Sequence, residues 1–222
     1  MEDRIAGIGT AIRHYDTAWL AHIIVHPDYR SRGIGKAITQ TLIESIDRRQ
    51  YKTIYLIATD LGFPLYQKLE FKEETGYVHL TRKSINVPAP VCSSIIPFEK
   101  KYHNEVLALD KYVSGEDRQE RLKDQLDTAL LSLWEKKLAG VYFPQLGNGL
   151  IIANNPSAGI ELMKLRIEER DFAILPVENK PGIEFLLKND FKQVRISKRM
   201  FLGKRRKWYP ASIYNRISGQ FG

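Results

Sequence analysis

An α/β protein built as two related units, with mixed sheets flanked by helices, is the fold class this sequence predicts. Three observations predict it: strand-like alternation interleaves with helix-like periodicity, a proline-bearing stretch interrupts the pattern, and the pattern recurs beyond that stretch. Arg4 to Tyr15 and Thr17 to Val25 alternate imperfectly between apolar and polar residues, with His14-Tyr15-Asp16 as the turn, so two antiparallel strands are expected. From Ile34 the apolar residues Ile34, Ile38, Leu42 and Ile46 recur every four positions, while Glu44, Asp47, Arg48 and Arg49 fall largely off that stripe. This spacing predicts an amphipathic helix. Thr53 to Ala58 reads as a short buried strand, Phe63 to Leu69 as a short helix and Glu74 to Thr81 as another strand.

Ser84 to Pro90 has two prolines and no period, so a linker over 85–90 is expected to separate a first domain, 1–84, from a second, 91–222. In the second, Val91 to Pro97 reads as a strand, Tyr102 to Tyr112 and Glu116 to Thr128 as helices, and Leu130 to Phe143 as one or two strands. An internal repeat links the halves. At an offset of 120, Ile54, Gly62, Lys68, Phe71 and Lys72 face Ile174, Gly182, Lys188, Phe191 and Lys192, and Glu70 faces Asp190. Upstream the offset becomes 128, matching Ile23-Ile24 to Ile151-Ile152. The second copy is therefore eight residues shorter, the length of Asp28 to Gly35.

Hydrophobic residues make up 43% of the chain, enough for packed cores and against disorder. One cysteine, Cys92, and five scattered histidines give no disulfide and no metal-ligand spacing, so no metal and a reducing, cytoplasmic setting are expected. No window approaches the roughly 18 apolar residues of a membrane span. The net charge of +8 is local: nine basic residues and no acidic one follow Asp190, leaving the first 190 residues at −1.

The segment missing from the second copy is chemically the richest in the first. Val25-His26-Pro27-Asp28-Tyr29-Arg30-Ser31-Arg32-Gly33-Ile34-Gly35-Lys36 lies between a strand and a helix. A helix N-terminus leaves about four amides without intrahelical acceptors and carries roughly half a positive charge, so it attracts anions. Gly33 and Gly35 allow close approach to those amides, and Arg30, Arg32 and Lys36 add charge. No Gly-Lys-Ser/Thr is present, and the spacing is not G-x-G-x-x-G, which argues against a P-loop or a Rossmann turn.

Val-x-Pro-x-x-Arg-x-x-Gly-x-Gly at such a junction resembles the acyl-CoA pyrophosphate loop of the GNAT superfamily of N-acetyltransferases. Leu65-Tyr66-Gln67-Lys68-Leu69-Glu70-Phe71 resembles that family's Leu-Tyr-x-x-x-Gly-Phe signature, with Glu70 where glycine is usual. A positive φ at Glu70 would cost about 1 kcal/mol, a strain on the turn rather than on the chemistry. The resemblance implies two GNAT-like domains, each with a mostly antiparallel central sheet flanked by helices. It also implies acetyl-CoA as acyl donor and direct attack by an amine acceptor. The amides of Ile23, Ile24 and Val25 would face the pantetheine and thioester, and Arg30, Ser31, Arg32, Gly33, Ile34, Gly35 and Lys36 would hold the diphosphate. Thr59 and Lys68 join the cofactor-binding set, and Tyr66 takes the position of the general acid. A phenol of pKa about 10 can protonate a departing thiolate whose acid has a pKa of about 8.5.

The base is not assigned: Trp19 and Ala21 occupy positions where some relatives carry glutamate or histidine, and simple alternation turns His22 to the opposite face. In the second copy Leu186 replaces Tyr66 and the loop is absent, so a degenerate domain that shapes the acceptor site is expected. The usual first strand and two helices of the family do not precede the hairpin, which reads as a shortened start whose open sheet edge would favour a homo-oligomer. Two readings from other classes stay open: a non-catalytic acyl-CoA-binding or sensing module, and nucleic-acid binding through Lys204-Arg205-Arg206-Lys207-Trp208-Tyr209, for which a solvated terminus is the commoner explanation.

Overall fold

The computed structural model describes residues 4–83 and 95–221, so the expected linker at 85–90 and Cys92 lie outside the described residues. Contacts divide the chain into two compact units. One comprises Met1–Glu74, Lys198–Arg206 and Gly219–Phe221; the other comprises Thr75–Ser197 and Lys207–Ser218. Both are mixed α/β bodies with mostly antiparallel strands and flanking helices.

The first unit opens with β1 (Gly7–Arg13) and β2 (Thr17–Val25), paired antiparallel. Then come α1 (Ile34–Glu44), β3 (Thr53–Ala58) and α2 (Phe63–Lys68). Strand β2 runs parallel to β3. Helix α1 ends at Glu44, short of Ile46 in the sequence period, and beyond it Asp47 Oδ1 accepts the Arg49 N–H at 2.9 Å in a local turn. Ala18, Leu20, Ile54, Leu56, Tyr66, Phe71 and Met200 form the core. On the other sheet face lie Trp19, Tyr55 and Phe201. There Arg199 Nε donates to Glu74 Oε2 at 2.7 Å, both side chains being almost wholly buried, and the guanidinium lies 4.2 Å from the Tyr55 ring centre.

The rest of the chain supplies β4 (Lys72–Thr81), β5 (Ile95–Pro97), α3 (His103–Ser114), α4 (Gln119–Leu122), β6 (Leu130–Trp134), β7 (Lys137–Phe143) and β8 (Leu150–Ala153). It continues through α5 (Pro156–Glu169), β9 (Phe172–Pro176), α6 (Lys180–Lys188), β10 (Lys192–Gly203) and β11 (Ile213–Asn215). Strands β5, β6, β7, β8 and β11 form an antiparallel meander-like sheet. Leu130 to Phe143 is two strands, because Glu135 (φ 50°) and Lys136 (φ 62°) turn the chain with both residues left-handed, as a two-residue hairpin requires. The helix expected over 116–128 is one short turn, Gln119–Leu122, followed by a 3₁₀ stretch, Lys123–Thr128. Val78, Leu80, Tyr142, Ile151, Leu162, Leu175 and Leu186 belong to this unit's core.

The repeat has a structural counterpart. Glu70 and Asp190 both take positive φ, 65° and 64°, and the following phenylalanine N–H reaches back to the carbonyl of Tyr66 (3.0 Å) or Leu186 (3.1 Å). Thr59 and Asn179, matched at the same offset, both begin the following helix: Gly62 N–H meets the Thr59 carbonyl at 3.0 Å, and Gly182 N–H meets Asn179 Oδ1 at 2.8 Å. The last strands are exchanged between copies. Lys198–Gly203 of β10 pairs with β3 in the first unit, while Tyr77–Thr81 of β4 pairs with β9 in the second. Each unit thus needs residues from both halves of the sequence.

Candidate active site

The site of the first unit arises where β2 leaves β3. Their pairing runs from Thr17–Thr53 to Leu20–Leu56 and then ends, although β2 continues to Val25. The cause is local. Between Ile8–Ile24 and Thr10–Ala21 the β1–β2 register shifts, placing one extra residue on β2, and His22 takes φ 50° there. An inserted residue bends and twists its strand, so β2 swings off its parallel neighbour. A cleft of about 190 Å³ opens at the divergence, lined by Leu20, Ala21, His22, Ile23, Ile24, Leu56, Ile57, Thr59, Tyr66 and Gly219.

Tyr66 sits in α2 and is 8% exposed. Its ring packs edge-on against Phe71, centres 6.1 Å apart. Gly62 lets the ring lie close: a Cβ there would stand 2.8 Å from the Tyr66 ring and push it aside. Burial raises the phenol above its ordinary pKa, which keeps it protonated through neutral pH.

Beyond Val25 the chain makes one 3₁₀ turn, Pro27–Tyr29, started by the His26 ring accepting the Asp28 N–H at 3.3 Å. Arg30 Nε donates to the Val25 carbonyl at 3.2 Å, folding the loop back on the end of β2. Ser31 (φ 60°) and Gly33 (φ 79°) are left-handed, and α1 starts immediately after. No side chain caps α1 and no acidic residue lies in its first turn. Its first backbone bond runs from Ala37 N–H to Gly33 C=O, so the amides of Ile34, Gly35 and Lys36 precede the hydrogen-bonded ladder. Arg32 and Lys36 are exposed beside them, with the Arg32 guanidinium 5.5 Å from the Tyr29 ring centre. The corresponding start in the second copy is closed: Asn155 Oδ1 accepts the Ala158 N–H at 2.9 Å, and Pro156 occupies the first turn of α5.

The structure thus gathers Ile23, Ile24, Thr59 and Tyr66 around one cleft, whereas Arg30 to Lys36 gather at the end of β2 around the start of α1. Lys68 is exposed in the last turn of α2 and does not line the cleft. His22 is where alternation misleads. The inserted residue breaks the two-residue period, so His22 and Ala21 both line the cleft instead of facing opposite ways. Sequence reasoning also missed Gly219 and Gln220, whose approach to this strand depends on tertiary folding; Gln220 Nε2 lies 2.6 Å from His22 Nε2. Part of the basic tail is absorbed by structure: Arg199 and Arg216 are buried, and Arg206 pairs with Asp16 at 2.6 Å, whereas Arg195, Lys204, Arg205 and Lys207 are exposed.

Comparison with known proteins meets the same segment. Residues 1–73 match the family model described as Acetyltransferase (GNAT) domain. Over 63 residues the chain is 35% identical to the [ribosomal protein bS18]-alanine N-acetyltransferase of Escherichia coli, covering 27% of this chain and 43% of that protein. The chain therefore spans less than half of that curated relative. Among solved structures, a candidate acetyltransferase from Pyrococcus horikoshii aligns over 98% of this chain and 76% of its own, at 26% identity and a TM-score of 0.81. A tandem GNAT protein from the clavulanic acid biosynthesis pathway aligns over 93% of this chain and 82% of its own, at 14% identity and a TM-score of 0.56, a likeness of fold. Among the described residues no group of side chains is arranged to hold a metal ion, and no helix is long and apolar enough to cross a membrane.

Proposed function

We propose that the first unit binds acetyl-CoA and transfers its acetyl group to an amine. The observation that carries this reading is the divergence of β2 from β3, which puts Tyr66 at the back of a cleft one strand-end away from an uncapped helix start. A diphosphate fits that start because the first-turn amides precede the helix ladder, no carboxylate competes for them, and Arg32 and Lys36 stand exposed alongside. Arg30, tied to the Val25 carbonyl, serves the loop's shape first. Bound acetyl-CoA supplies an activated acyl group as a thioester. Backbone N–H groups near Val25, on the stretch of β2 that has left β3 while staying paired with β1, orient the acyl carbonyl, needing no side chain for that role. Tyr66 holds a proton ready for the departing sulfur, and burial ensures that the proton is there at neutral pH.

The second copy, with Leu186 at the tyrosine position and Asn155 closing its helix start, does not bind the donor on this reading; it contributes strand and shape. The name of the Escherichia coli relative points to an α-amine of a ribosomal protein for that enzyme. Here the acceptor class is an amine.

Calorimetry of the full chain with acetyl-CoA tests the donor site. The expectation is saturable binding, weakened about tenfold by Gly33→Val, because a β-branched residue at φ 79° costs roughly 1–2 kcal/mol and re-aims the loop. Absence of binding heat in correctly folded wild-type protein would remove the proposal.

A further inference from the structure

Residues Gly219–Phe221 pack with the first unit although they follow the whole second copy in sequence. Gly219 lines the cleft that Tyr66 backs. The Gln220 side-chain amide is hydrogen-bonded to the His22 ring at 2.6 Å, and the Phe221 ring stands 5.9 Å from that of His14. We infer that this segment is the acceptor-side wall of the cleft, and that Gln220 is a positioning residue which fixes the His22 ring as part of that wall. The inference rests on the acetyltransfer reading above and adds to it where the acceptor enters and what limits its shape.

The argument begins at the inserted residue of β2. His22 holds a left-handed φ of 50°, a conformation that a residue with a Cβ adopts at a cost, and its side chain is exposed. An exposed ring on a bulge has several rotamers available. The bond from Gln220 selects one of them, the rotamer that keeps the ring at the cleft. With the amide nitrogen toward the ring, Gln220 donates, His22 Nε2 accepts and the ring proton sits on Nδ1. Opposite this pair the cleft is walled by strand residues that are apolar, Leu20, Ile23, Leu56 and Ile57, with Thr59 and Tyr66 as the other polar groups.

Shape and charge then restrict the acceptor. The cleft is small, about 190 Å³, and on the reading above the thioester end of the donor shares it, which leaves little room beside the acetyl group. Among the described residues that line the cleft none is a carboxylate, so none of those side chains pairs with a second ammonium. The acceptor that fits is a single primary amine on a slender, unbranched stem, passing between Gly219 and the His22–Gln220 pair.

The test uses the full chain, Gln220→Ala, and the chain stopped after Ser218, all checked for folding by thermal melting. Lysine amide, with its α-amine blocked by acetylation, serves as the slender acceptor and tert-butylamine as the branched one, with thiol release followed at saturating acetyl-CoA. Acetyl-CoA affinity, measured by calorimetry, should stay within twofold, because the donor loop is untouched. Gln220→Ala should lower kcat/KM for lysine amide at least tenfold, and stopping after Ser218 should shrink the wild-type preference for lysine amide from at least tenfold to under threefold. Unchanged kcat/KM and unchanged preference in both variants would overturn the inference. If the wild type binds acetyl-CoA but acetylates neither amine, the acetyltransfer reading fails separately. The wall is then decided by titrating lysine amide into the acetyl-CoA-loaded chain and following amide resonances. Shifts concentrated at His22, Gly219 and Gln220 support it; silence there overturns it.

Discussion

Replacing Tyr66 with phenylalanine deletes one oxygen from a side chain that is 8% exposed and backs the cleft. The ring stays: it remains packed against Phe71 and against Gly62, where no side chain intervenes. Stability should therefore change by no more than about 1 kcal/mol. The proposed donor loop lies at the start of α1, so acetyl-CoA affinity should be unaffected. Turnover should not be. A positioned general acid contributes roughly 10²–10⁴-fold. The lower end applies here, because a thiol with a pKa of about 8.5 leaves with less assistance than an alcohol or amine. A loss of about 10²-fold in kcat is expected, equivalent to about 2.7 kcal/mol of barrier. Burial raises the Tyr66 phenol above 10, so the wild-type alkaline limb in kcat should also lie above pH 10, where a phenol with this raised pKa finally ionises. Stopped assays of thiol release with wild type and variant at matched donor saturation decide it. Turnover within twofold of wild type, with acetyl-CoA affinity intact, would refute Tyr66 as the proton donor.

Glu74→Gln removes the charge facing the buried Arg199 guanidinium while keeping shape, so urea unfolding should report a loss of about 3–5 kcal/mol; Glu74→Leu with Arg199→Met should recover most of it. His79 in the second unit is 6% exposed, bonded to Ser197 at 2.8 Å, and its pKa is lowered from 6.5 to about 4 by burial first and then by Arg216 and Arg195. Between those pH values the unfolded chain binds the proton that the folded chain refuses, so stability falls as pH drops from 6.5 towards 4. The fall attributable to His79 should be about 2–3 kcal/mol, read as the difference between the pH–stability curves of wild type and His79→Gln; parallel curves would contradict it.

Much of the first unit is legible in the chain itself because its signals are local. The strand Thr53–Ala58 is found at its observed bounds, and the loop from Val25 to Lys36 declares a strand-to-helix junction through Pro27, Gly33 and Gly35. The strained turn at Glu70 could be anticipated from a family pattern and a steric rule. His22 could not be placed, because alternation assumes an uninterrupted strand, and one inserted residue reverses every later side chain. A left-handed histidine leaves no mark in the sequence, unlike a glycine at the same position.

The repeat in the sequence implied two copies of one plan, each self-contained, whereas each unit takes its last strand from the other copy. Strand pairing is a long-range choice between chemically similar partners: β4 and β10 both offer alternating apolar faces, and nothing local distinguishes β3 from β9 as their neighbour. The same holds for Arg199 with Glu74 and for Gln220 with His22, pairs separated by more than a hundred residues. By itself, then, the sequence determined most of the elements, the glycine-bearing strand-to-helix turn and the place of the tyrosine, since each depends on neighbours within about ten positions. Tertiary structure alone decided which strands complete each sheet, which charges are buried together and what walls the cleft, because those depend on which distant surfaces meet once the apolar faces are buried.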